Sequence, residues 1–95
     1  MSDKVSQGEL FTVGVGDGSV VINAHCRIRT SGYQRVVTVG LVPIAHFDVG
    51  DRLSEAFAMV NLVDQGWADQ NDVARSFGCA TRTVRRYQRR FEAGG

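Results

Sequence analysis

One apolar face and one mostly polar face alternate through Val20–Arg29, which reads VVINAHCRIR. Val20, Ile22, Ala24, Cys26 and Ile28 take the even positions. Asn23, His25, Arg27 and Arg29 take odd ones, with Val21 among them. Successive side chains of a strand point to opposite faces, so this period predicts one strand over 20–29. Cys26 then faces a core and His25 faces solvent. Leu10–Val15 and Tyr33–Val42 are rich in β-branched or aromatic residues, which favour strands. Gly16-Asp17-Gly18 and Thr30-Ser31-Gly32 separate the three runs and have the composition of hairpin turns. Pro43 has no N–H for a ladder and is expected to end the last strand. The pattern predicts a three-stranded antiparallel β-meander over residues 1–50. Such a sheet needs something to pack on, either the rest of the chain or a second copy of itself.

Beyond Asp51 the period changes. In RLSEAFAMVNLVDQ, residues 52–65, Leu53, Phe57, Val60 and Met59 or Val63 recur at helical spacing, and Gly66 ends the run. Asp51 is the expected N-cap. A second helix is expected after Asp69, with Asp72 three residues on as a variant capping box. Val73, Ala74 and Phe77 form its apolar face, and Gly78 stops it. Cys79 and Ala80 make a short turn, and a third helix runs from about Thr81 to Phe91. Either Ala80 or Thr81 caps it. Two short helices joined by a Gly-containing turn form a helix-turn-helix. The expected architecture is therefore α+β: a β-rich segment over 1–50, then a three-helix unit over 51–95.

The chain has 95 residues, 43% of them hydrophobic, which suits a small folded domain. Its formal charge is only +1, but the charge is unevenly placed. Through Gly66 there are five basic groups against seven acidic ones; beyond it, six arginines stand against three acids. That asymmetry points to a nucleic-acid-facing C-terminal part. Cys26 and Cys79 form no C-x-x-C and match no zinc spacing, which reads as reduced thiols in an intracellular protein. The first residues, MSDKVSQGEL, lack the apolar run of a signal peptide, and no stretch is long and apolar enough to span a membrane. A soluble, cytoplasmic protein is expected.

The sharpest feature is Thr81–Arg90, TRTVRRYQRR. At 100° per residue, Arg82, Arg85, Arg86, Arg89 and Arg90 fall within an arc of about 140°. Val84, Tyr87 and Phe91 lie opposite. A disordered tail needs no apolar stripe. A merely solvated face usually interleaves glutamates with its arginines, yet no acid stands between Thr81 and Phe91. Arg82/Arg86, Arg86/Arg90 and Arg85/Arg89 are like-charge pairs at i,i+4, each costing a few tenths of a kcal/mol. A helix that tolerates this is suited to a polyanion.

The segment Gln70–Gly95, QNDVARSFGCATRTVRRYQRRFEAGG, resembles the homeodomain-like helix-turn-helix of bacterial transposases. Gln70, Val73, Ala74, Phe77, Gly78, Thr83, Val84, Arg85, Arg86, Tyr87 and the closing R-R-F-x-x-G-G carry the resemblance. It implies double-stranded DNA recognition, with the third helix in the major groove. The residues implied for base and phosphate contacts are Thr81, Arg82, Arg85, Arg86, Arg89 and Arg90, with Gln70 on a phosphate and Gln88 at the edge of the arc. It also implies a DNA-binding portion excised or truncated before a catalytic domain.

Such transposases cut DNA at an Asp-Asp-Glu metal site, and no segment here fits that fold. No enzymatic activity, cofactor, metal site or small-molecule substrate is therefore expected. His25, Cys26 and His46 make a poor zinc set, because alternation puts the first two on opposite faces. Gly14–Gly18 lacks the lysine and helix of a phosphate loop. Two other readings stand beside the first: a free-standing transcriptional regulator that forms a homodimer through its β part, and an adaptor whose arginine face meets an acidic protein.

Overall fold

The computed structural model describes residues 18–94. The expected strand Leu10–Val15, and Gly16 and Asp17 of its turn, lie outside the described residues. What is described is α+β: a four-stranded antiparallel sheet followed by three helices. Strands β1 (Gly18–Val21), β2 (Cys26–Ser31), β3 (Gln34–Val39) and β4 (Val42–Asp48) pair in chain order. Helices α1 (Arg52–Asp64), α2 (Gln70–Phe77) and α3 (Thr81–Gly94) follow.

The expectation of three strands fails at two local breaks. The predicted strand over 20–29 is a hairpin instead. The Asn23 side-chain oxygen accepts from the main-chain N–H groups of His25 (2.9 Å) and Cys26 (2.8 Å), folding the chain back on itself. Asparagine competes well for neighbouring backbone donors, and here it outweighs the alternation. The pairing Val21↔Arg27 closes the turn. The predicted strand Tyr33–Val42 breaks at Gly40-Leu41, a two-residue turn between Val39 and Val42. Gly40 has a φ of 62°, a conformation that glycine adopts without the strain a Cβ would bring.

Pro43 does not end a strand. It lies within β4, opposite Thr38 and beside a bulge in β4 itself, where Ile44 is the extra residue between the pairs Val37↔Ala45 and Thr38↔Pro43. Among the described residues β4 is at the edge of the sheet, where a residue without an N–H can be accommodated.

Within β2 the expected parity is observed, with Cys26 and Ile28 buried and Arg27 and Arg29 exposed, and His25 in the turn faces solvent. Of the other even positions Ile22 is buried, but Val20 and Ala24, expected on the core face, are exposed because the hairpin breaks the alternation. The core joins that face, with Val37 and Phe47, to Ala58, Met59 and Leu62 of α1, Val73 and Ala74 of α2, and Val84 of α3. Sheet and helices thus share one core. Burial raises the Cys26 thiol pKa above its ordinary value, and the Asn23 contact offsets part of the rise.

Polar ties fix the sheet to the helices. Asn23 Nδ2 donates to the Trp67 carbonyl at 2.9 Å, and Arg75 Nη2 donates to the Ile22 carbonyl at 2.8 Å. Arg35 and Glu55 form an ion pair at 2.8 Å between β3 and α1. The α1 start is as expected. Asp51 caps it through Ser54, whose backbone N–H and hydroxyl hold the carboxyl below its ordinary pKa.

Candidate nucleic-acid interface

Two features set the position of α3: the end of α2 and one buried valine. Asp69 caps α2 by accepting from the Asp72 N–H at 2.8 Å. Gly78 ends it in the left-handed conformation, with φ 76° and ψ 36°. Cys79 N–H then donates to the Ala74 carbonyl at 2.9 Å, which completes the turn. The Cys79 sulfur lies 3.9 Å from the Met59 sulfur, so the turn also packs on α1. Burial, and next the charge of Glu55, raise the Cys79 pKa. It is therefore a thiol at neutral pH and packs as a small apolar group.

The cap of α3 follows from its first hydrogen bonds. The Ala80 carbonyl accepts from Thr83 N–H (2.9 Å) and Val84 N–H (3.4 Å), so Ala80 occupies the cap position. Thr81 belongs to the helix, and its hydroxyl donates to the Asn71 side-chain oxygen at 3.2 Å. The helix also continues past the expected end at Phe91, to Gly94.

Val84 is fully buried, and Tyr87 and Phe91 are half-buried on the same side. Phe91 meets Phe57 of α1 edge to face, with ring centroids 5.7 Å apart. Arg82, Arg85, Arg86, Arg89 and Arg90 are all exposed on the other side. Among the described residues, the ion pairs within 4.0 Å are Arg35–Glu55 and Arg75–Asp72, and none includes these five arginines. The Arg86 guanidinium carbon sits 6.0 Å from the Tyr87 ring centroid, at the outer limit of a cation–π contact. The face is a set of exposed positive charges that no ion pair among the described residues neutralises.

Gln70 stands at the first position of α2, half-buried between helices. Its Nε2 donates to Gln88 Oε1 at 2.7 Å, and its Oε1 receives Arg85 Nη1 at 3.5 Å. Gln88 Nε2 in turn donates to Asp64 Oδ1 at 2.8 Å. The structure thus brings Gln70 and Arg85 together at one flank of the arginine face, with Thr81 bordering the same groove. Among the described residues, Arg82, Arg86, Arg89 and Arg90 carry no such tie. Asp64 and Asn71 escaped sequence reasoning: each sits on a different helix from its partner, and no periodicity reports such a contact.

Comparison with protein-family models, with curated proteins and with solved structures finds no match to this chain.

Proposed function

We propose that this chain binds double-stranded DNA, with α2, the turn Gly78–Ala80 and α3 acting as a helix-turn-helix that lays α3 in the major groove. One observation carries the reading: five exposed arginines on one face of a helix whose opposite face is packed into the core. Arginine's planar fork of donors suits phosphate oxygens and the O6/N7 edge of guanine. Packing of the reverse face by Val84, Tyr87 and Phe91 holds those donors on a rigid element, which limits the ordering cost of binding.

The residue pattern from Gln70 to Gly95 supports a narrower version, in which the chain is the DNA-binding part of a bacterial transposase working in the cytoplasm. A second reading is a free-standing regulator that dimerises through its β part. It is favoured by the edge position of β4 among the described strands and by the exposure of Val42 there and of Leu53 and Phe57 on α1. A monomer in sedimentation at high concentration eliminates that version.

The test of DNA binding is a duplex titration at two salt concentrations, with Arg82→Ala/Arg86→Ala beside the parent chain. Binding is expected to fall steeply with salt, and the variant to have a shallower slope, by about one unit per lost phosphate contact. Absence of duplex affinity at low salt refutes the proposal and leaves an acidic protein as the partner to seek.

A further inference from the structure

Three side-chain hydrogen bonds run in series from the last residue of α1 to the arginine face: Asp64 to Gln88, Gln88 to Gln70, and Gln70 to Arg85. Their polarity is set at both ends, by a carboxylate that only accepts and a guanidinium that only donates. An ionised carboxylate only accepts, so Gln88 turns its NH₂ to Asp64 and its oxygen toward Gln70. Gln70 then donates to that oxygen and presents its own oxygen to Arg85. With the carboxylate in place, each amide has one orientation that satisfies both neighbours. The chain crosses all three helices, and its final acceptor faces one guanidinium.

We propose that Asp64 is a positioning residue for the DNA contact made by Arg85, acting through Gln88 and Gln70. The proposal rests on the DNA-binding reading above. Arg85 lies at the edge of the arginine arc, beside the N-terminus of α2, where the flank of a groove-bound helix passes the phosphate backbone. It is the member of the five that receives a tie from α2. Holding a long side chain in one orientation before binding reduces the freedom it loses on binding. Arg85 thereby serves as a preset phosphate anchor, and Arg82, Arg86, Arg89 and Arg90 keep their freedom to adapt to the duplex. Asp64 touches no DNA in this arrangement.

A double-mutant cycle on the whole chain tests this, using a mixed-sequence DNA duplex at low salt. The variants are Asp64→Asn, Arg85→Ala and the two combined. Asn is nearly the same shape as Asp but both donates and accepts, so it releases the constraint at the α1 end of the chain and leaves the packing. It also removes a negative charge, an effect common to both backgrounds that cancels in the cycle. The expected coupling is about threefold in Kd, the size of one side chain's ordering. Relative to its effect in the Arg85→Ala background, Asp64→Asn weakens binding by that factor when Arg85 is present. Gln88→Met, which cuts the chain in the middle, behaves the same way. Equal effects of Asp64→Asn in both backgrounds, or none in either, overturn the proposal while leaving the DNA reading intact. Failure of the parent chain to bind the duplex removes the DNA reading and the anchor together.

Discussion

Helices α1 and α3 are of similar length but use their surfaces in opposite ways. In α1, Ala56, Ala58, Met59, Val60 and Leu62 are buried, and even its exposed side carries Leu53 and Phe57. In α3, Val84 is the residue fully buried among those whose side chains are described, and the exposed side carries five arginines. Contact with the sheet and with both other helices calls for an apolar surface broader than one stripe. A helix packed along one edge can keep most of its surface for charge. The first arrangement contributes stability; the second places like charges together at a cost, which is understandable where those charges have a partner.

The comparison can be broken first at its most buried points. Leu62→Ala should lower unfolding stability by about 3 kcal/mol, the transfer of a leucine side chain plus the cavity left behind. Val84→Ala removes less volume and should cost about 2 kcal/mol at about 0.8 kcal/mol per methylene plus a smaller cavity. Urea melts of the two variants check both values. An Ala at 84 that costs as much as one at 62 would mean that α3 is as deeply integrated as α1.

A smaller effect of opposite sign sharpens the contrast. Arg86 has an arginine four residues away on either side, Arg82 and Arg90. Arg86→Gln keeps the helix propensity and removes both repulsions, so it should raise stability by about 0.2–0.5 kcal/mol per pair. The same change should weaken duplex binding. A variant that is more stable and binds less tightly marks a functional charge. Loss of stability would instead mean that the Arg86 stem is packing on α3's neighbours.

Much of the helical part was legible along the chain. Asp51, Asp69 and Gly78 act on main-chain groups within a few residues, so their capping roles follow from composition and position alone. The arginine arc follows from helical geometry in the same way. The strands were less legible. Alternation through 20–29 gives the right face for Ile22, Cys26 and Ile28 but not for Val20 and Ala24, which are exposed. It is silent on whether a side chain will seize the backbone, as Asn23 does. The expected length of the third strand failed for a related reason, since Gly40 permits a turn without announcing one.

What the sequence determined by itself was therefore whatever depends on near neighbours: helix ends, the parity of β2, and the gathering of arginines on one face of α3. The tertiary structure decided what depends on residues distant in the chain. The place of β4 at the edge of the described sheet makes room for Pro43, and the packing of α2 on α3 turns Thr81 toward Asn71 and leaves Ala80 at the cap. Three helices must meet before Asp64, Gln88, Gln70 and Arg85 can join. The physical reason is range. Caps and periodicities arise from a few consecutive dihedral angles, whereas a hydrogen bond between Gln70 and Gln88 exists only once the shared core has fixed both helices.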